Sequence, residues 1–310
     1  MAFDAVILFF ILGIILKLFN PSFVIPQGLS KALIIILLIA IGLKGGLALK
    51  ENFSLTVVYQ CFIVMIMGFL LPLLAYPVLR FFGRFSTVDA ACMAAHYGSV
   101  SVATYAVAIS YLGSQNILFE EYLVLLVVVL EVPAIVTGLL IVGKKSNLTG
   151  KQLIGETFGN ASIILLIGAL LIGFLSNDSI NKTLPLFSEL FTGILAIFLL
   201  EMGTVAATQL KSLRKNSVFV VSFAVFMPLV AAVIGAFIAS TLLSLSQGGT
   251  MILITLAASA SYIAVPAAMR VALPDANHGL SIAASLGITF PFNVIVGIPI
   301  YHSIATALTN

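Results

Sequence analysis

The chain has 310 residues, of which 61% are hydrophobic and only 8% charged, and its mean hydropathy is +1.23. An ordinary soluble domain carries roughly 25% charged residues, so this chain cannot cover itself with a water-compatible surface, which excludes a soluble enzyme, a nucleic-acid binder and a disordered chain. The formal charge of +3 is small and bears on membrane orientation, not on an anionic partner.

A helix that crosses the hydrocarbon core needs roughly 20 mainly apolar residues. Ten spans are predicted, at approximately 3–19, 32–49, 55–79, 86–112 and 121–142, then at 161–176, 188–209, 217–244, 250–272 and 278–306. The first does not read as a signal peptide: Asp4 stands where a basic start is expected, and the run ends at Lys17 without a small-residue cleavage site. The longest polar stretch, Gly143 to Asn160, separates the fifth span from the sixth. The chain therefore divides into 1–142, a linker at 143–160, and 161–310. Cys61 and Cys92 lie inside apolar runs, too few for a disulfide framework or a zinc site. Trp is absent, so any aromatic belt is made of Tyr and Phe.

The two halves resemble one another. Gly42-Leu43-Lys44 through Lys50 parallels Gly203-Thr204-Val205 through Lys211, an offset of 203 − 42 = 161. Ser99-Val100-Ser101 parallels Ser259-Ala260-Ser261 (259 − 99 = 160), and Pro133 parallels Pro291 (291 − 133 = 158). Five spans is an odd number, so a second copy enters from the opposite face; inverted repeats of this kind are a signature of secondary transporters. Of the fourteen basic residues, eleven fall in or beside the odd-numbered loops and three (Lys44, Lys50 and Lys182) in or beside the even ones. The positive-inside rule then makes the odd loops and the linker cytoplasmic and turns both termini outward.

Two spans are poor helices at their centres. The fourth runs Ala94-Ala95-His96-Tyr97-Gly98-Ser99-Val100-Ser101-Val102-Ala103-Thr104, where Gly, Ser and β-branched residues weaken helix propensity. The ninth runs Ala257-Ala258-Ser259-Ala260-Ser261-Tyr262-Ile263-Ala264-Val265-Pro266, and the helix is expected to break just before the proline. Non-helical backbone at membrane depth is tolerated where it lines a cavity or packs in protein. Small-residue helix packing is the plainer reading of either span alone. That both interruptions fall at matching places in the two halves favours a binding site instead. Half-helix N-termini facing each other suit a small anion, whereas hydroxyls and freed carbonyls suit sodium. The backbone and side chains of Gly98, Ser99, Val100, Ser101, Ser259, Ala260 and Ser261 are the anion candidates.

Charges inside the membrane are costly and therefore informative. Glu131 lies mid-span, two residues before Pro133, within reach of carbonyls the proline frees. Asp89 opens the fourth span, where a carboxylate also stabilises the helix dipole. With Ser99, Ser101, Thr104, Ser259, Ser261, Thr289 and Asn293, these two carboxylates make up the sodium-ligand candidates; Asn293 is placed by the repeat opposite the Glu131 region. Glu201 has no counterpart in the second span and reads as structural. His96 reads as a core histidine with its hydrogen bonds satisfied, and His278 and His302 as interfacial. No H-E-x-x-H, G-x-S-x-G or phosphate loop is present, so no enzymatic constellation is visible.

Several of these segments resemble the sodium-dependent bicarbonate transporter family known from cyanobacteria: Asp89 to Ser101 (D-A-A-C-M-A-A-H-Y-G-S-V-S), Ala258 to Pro274 (A-S-A-S-Y-I-A-V-P-A-A-M-R-V-A-L-P), Ser285 to Tyr301 (S-L-G-I-T-F-P-F-N-V-I-V-G-I-P-I-Y), and Glu131-Val132-Pro133-Ala134-Ile135. The resemblance covers essentially the whole chain in span order. It implies an all-α, ten-helix inverted 5+5 fold with broken helices 4 and 9, divided into core and gate domains and assembled as a homotrimer in the bacterial inner membrane. It also implies sodium-coupled uptake of bicarbonate, with the anion between the two interruptions and sodium nearby. Members of the family carry a longer segment between the halves and are regulated by a small trimeric signalling protein of the PII type. Here the linker is only Gly143 to Asn160, which argues against that partner. Another small anion, or a passive anion channel on the same scaffold, are the alternatives.

Overall fold

The computed structural model describes residues 5–143, 159–177, 180, 182–212 and 217–309, and these form helices and connections with no strand among them. Most of the linker, and Arg214 and Lys215 with it, lie outside the described residues. The helices are α1 (Ala5–Phe19), α2 (Gln27–Asn52), α3 (Leu55–Pro77), α4 (Thr87–His96), α5 (Val102–Ser114) and α6 (Val124–Val142). They continue with α7 (Ala161–Leu175), α8 (Leu184–Ser188), α9 (Phe191–Ser212), α10 (Ser217–Ile238), α11 (Gln247–Ala258), α12 (Ala264–Ala272) and α13 (His278–Thr309). Six helical stretches are long and apolar enough to cross a membrane; α1, α5, α7 and α11 are apolar but shorter. Large apolar side chains on α3 and α10, such as Leu70, Leu73, Phe226 and Val230, point outward. That is the surface a lipid solvent asks for: without hydrophobic drive between helices, close packing must hold them together.

Close packing is supplied by glycines on four helices. A Cβ on Gly13 of α1 would lie 2.0 Å from the Leu200 carbonyl oxygen of α9, and one on Gly203 would lie 2.1 Å from the Phe10 carbonyl oxygen. The α2–α7 pair is built the same way, with Gly46 against the Leu170 carbonyl oxygen at 2.0 Å and Gly173 against that of Leu43 at 2.4 Å. Any larger residue would push these backbones apart. Within this group Ser30 of α2 donates to the Glu201 carboxylate of α9, and Lys50 donates to the Ser176 carbonyl beyond α7 at 2.6 Å. Glu201 thus joins two helices of one group, and its second oxygen has no partner among the described residues.

The short α8 packs on α2 and α9 of this group; the other helices form a second group, in which α3 packs on α6, α4 on α6, α10 on α11 and α11 on α13. Two carboxylates tie its ends. Asp89, in the first turn of α4, accepts from the Ser86 hydroxyl at 2.7 Å and from the Asn277 amide at 2.7 Å. Glu120 accepts from the amide and the hydroxyl of Ser246, at 2.9 and 2.8 Å, beside the N-terminus of α11. Two prolines are accommodated in different ways. Pro266 is the third residue of α12, in the first turn, where an amide would have no intrahelical partner. Pro133 lies inside α6, and Thr137 one turn on donates to its carbonyl at 3.0 Å.

Candidate functional site

Helical structure stops at His96 and resumes at Val102, and it stops again at Ala258 and resumes at Ala264. The two non-helical segments cross at the centre of the second group and are stitched together there. The Ser101 amide donates to the Ser259 hydroxyl oxygen at 3.1 Å, and Ser259 donates to the Leu256 carbonyl at 2.9 Å. The Ser261 amide donates to the His96 carbonyl at 2.9 Å, and the His96 Nδ1–H returns a bond to the Ser261 carbonyl at 2.6 Å. His96 Nε2 has no partner among the described residues, so only one of its nitrogens is satisfied. Gly98 allows the first segment to pass α3: a Cβ there would lie 2.2 Å from the Pro72 ring.

At each crossing a serine supports the next helix. The Ser101 hydroxyl oxygen accepts from the Thr104 amide at 3.1 Å and caps α5; the Ser261 oxygen, two residues before the N-cap Ile263, accepts from the Val265 amide in the first turn of α12 at 3.3 Å. Each hydroxyl oxygen therefore accepts from the helix, and neither hydroxyl donates within the described residues, although the Tyr262 hydroxyl lies beside that of Ser101. The first amides of the two helices, on Val102, Ala103, Ile263 and Ala264, have no protein acceptor among the described residues. Two helix N-termini, with their partial positive charge, thus face a single cavity of about 40 Å³ lined by Ser101, Val102, Ala103, Ser261, Ile263 and Ala264.

The cavity also has a carboxylate. Glu131 of α6 reaches it, 5% exposed, and its Oε2 accepts from the Ser99 hydroxyl at 2.7 Å. The sequence places this side chain near carbonyls freed by Pro133; in the structure it turns to the first helix interruption instead. The opposite wall is mostly apolar and comes from the other helix group, through Ile34, Leu37, Leu38 and Ile41 of α2 and Phe198 of α9, with Ser162 of α7 its one hydroxyl.

Not every candidate converges here. Ser99, Val100, Ser101, Ser259, Ser261 and Glu131 meet at the crossing, with Thr104 held by Ser101. Gly98 and Ala260 pack into the protein, Ala260 in an apolar cluster with Ala75 and Tyr97. Thr289 donates to the Ala224 carbonyl at 2.7 Å, so it accepts from the Tyr97 hydroxyl at 2.9 Å. Asn293 donates to the Ala258 carbonyl at 2.9 Å and accepts from Tyr301 at 2.7 Å, supporting the end of α11. Asp89 is engaged at the start of α4, as described. One cavity residue was not singled out in the sequence: Tyr262, whose buried hydroxyl lies beside that of Ser101 and whose ring packs edge-on to Phe290. Its position between Ser261 and Ile263, inside the second interruption, was the available signal. Among the described residues no cluster of three or more His, Cys, Asp or Glu side chains could hold a metal ion.

The sequence matches the model of the Na+-dependent bicarbonate transporter superfamily over residues 5–306, and the chain belongs to that superfamily. No curated protein matches it. Membership, with the apolar helices, makes this a multi-pass membrane protein of a transporter family rather than an enzyme family.

Proposed function

We propose that this superfamily member imports bicarbonate together with sodium by alternating access. The observation that carries the reading is the composition of the central cavity: two helix N-termini, two serine hydroxyls, and one carboxylate. A site of donors alone would hold an anion. Glu131 opposes that anion unless a cation or a proton lies beside it, because like charges at about 4 Å repel by several kcal/mol in a low-dielectric site. Sodium next to Glu131 and Ser99 removes the opposition, so each ion improves the site for the other. Reciprocity of this kind is what coupling requires. The volume agrees: about 40 Å³ is room for a few water-sized groups at roughly 10–15 Å³ each, which suits an anion of four heavy atoms.

Alternating access follows from the two helix groups. The group of α1, α2, α7 and α9 is the gate domain in this reading, and the group that carries the crossing is the core. The gate side of the cavity is apolar except for Ser162, so it can slide past the core with few hydrogen bonds to the ions to break. The ten spans form an inverted 5+5 repeat, and the packing supports it: α1 on α9 pairs span one with span seven, and α2 on α7 pairs span two with span six, its symmetric equivalent. The protein sits in the bacterial inner membrane as a homotrimer, with its termini outside and its linker in the cytoplasm.

Labelled bicarbonate uptake into proteoliposomes, with and without an inward sodium gradient, tests the coupling. Uptake is expected only with sodium, and equal uptake in both conditions means a passive anion channel. Competition by other small monovalent anions tests the substrate. For orientation, a cysteine at Ser146 is expected to resist an impermeant thiol reagent added outside intact cells, whereas one at Thr309 reacts.

A further inference from the structure

We infer that a second, outer site for the same small oxyanion lies at Lys44, in a vestibule adjoining the central cavity. The inference rests on the anion-transport reading above. Lys44 is within α2, eight residues before its end at Asn52, where an ammonium is expensive in the absence of water or a counterion. Among the described residues it makes no ion pair; its Nζ lies 5.9 Å from the centre of the Phe191 ring. It faces a vestibule of about 480 Å³, which it shares with Tyr105, Ser110, Glu121, Phe191 and Thr192. Ile41, one turn before Lys44 on the same face of α2, lines both this vestibule and the central cavity. The two spaces therefore adjoin along α2.

The chemistry of the vestibule favours an anion at Lys44. The lysine supplies a full positive charge, while Tyr105, Ser110 and Thr192 line the same space with hydroxyls that can donate. Glu121 is also on the wall but makes no ion pair with Lys44 among the described residues, so the ammonium is left without a contacting counterion. Glu121 holds an arriving anion to the lysine side of the space. A low-dielectric cleft focuses the field of Lys44 on an anion beside it, and with Glu121 of opposite sign on the wall the local enrichment expected is at the low end, about tenfold. The vestibule lies at the C-terminal end of α5 and the start of α9, and on the proposed orientation this end opens outward. Lys44 would then collect the anion before it passes Ile41 to the crossing.

Two measurements on the full chain in proteoliposomes test this. For the first, Cys61 and Cys92 are replaced by alanine and a single cysteine is placed at Ser114, on the vestibule wall. Its rates with sulfonatoethyl and aminoethyl methanethiosulfonate are compared with those of a free thiol. The anionic reagent is expected to be favoured, and Lys44→Gln is expected to lower that preference about tenfold, whereas Lys44→Arg preserves it. For the second, Lys44→Gln is expected to raise the half-saturating bicarbonate concentration several-fold and leave the maximal rate intact. A reagent preference unmoved by Lys44→Gln overturns the outer site, as does an unchanged half-saturating concentration. If the native chain transports no bicarbonate but the reagent preference still depends on Lys44, the bicarbonate reading fails and the outer anion site stands.

Discussion

At the first helix interruption Ser99 gives its hydroxyl hydrogen to the Glu131 carboxylate, whereas its counterpart Ser259 gives it to the Leu256 carbonyl. The serines that support the next helices do not differ in this way: Ser101 accepts from the amide three residues on, in the first turn of α5, and Ser261 from the amide four residues on, in the first turn of α12. The third pair differs in charge. Glu131 is an acid, and Asn293, which the proposed repeat would set opposite it, is a neutral amide that spends its donor on Ala258 and its acceptor on Tyr301. One interruption therefore brings a carboxylate to the cavity, while the other brings only neutral groups. The shared features suit the anion, which needs donors from both sides; the unshared one suits a single cation on the Glu131 side.

Glu131→Gln breaks the asymmetry most directly and is expected to have the largest effect. Sodium-driven accumulation should fall by about two orders of magnitude, in line with roughly 1.5–3 kcal/mol for a hydrogen bond to a charged group. Sodium titration of bicarbonate uptake checks it, and undiminished sodium dependence would place the cation elsewhere. Next come Ser101→Ala and Ser261→Ala, which act on the shared half of the design. Each should raise the half-saturating bicarbonate concentration about ten- to a hundredfold, and by similar factors, because the two serines have equivalent roles. A large effect at one and none at the other would mean the anion leans on a single helix.

Ser259→Ala removes two neutral buried hydrogen bonds, one from the Ser101 amide and one to the Leu256 carbonyl, each worth about 1 kcal/mol, and should lower uptake about five- to thirtyfold. The sodium requirement should be unaltered, which distinguishes it from Ser99→Ala. The smallest effect on transport is expected from Asp89→Ala. Its carboxylate is occupied by Ser86 and Asn277, so thermal unfolding should shift by on the order of 1 kcal/mol while half-saturating sodium stays constant. A tenfold rise in half-saturating sodium would return Asp89 to the cation's path.

The sequence was most informative where one physical demand dominates. Composition alone required buried backbone bonds, and hence helices, because so few charged residues leave no water-compatible surface. Glycine, serine and proline at 98–101 and 259–266 marked where helical hydrogen bonding is weakest, since their propensities act within a turn. Glu131 stood out because any carboxylate at membrane depth needs a reason. Partners across the fold could not be read this way. That Glu131 meets Ser99 rather than carbonyls freed by Pro133, that Thr289 meets Tyr97, and that the Ile34–Ile41 face of α2 walls the cavity were decided when distant helices packed. Tyr262 and Lys44 show the same limit: a tyrosine among small residues, or a lysine eight residues from a helix end, acquires meaning only from the cavity beside it. Local pattern fixes which bonds a segment lacks, and only tertiary packing chooses the atoms that face them.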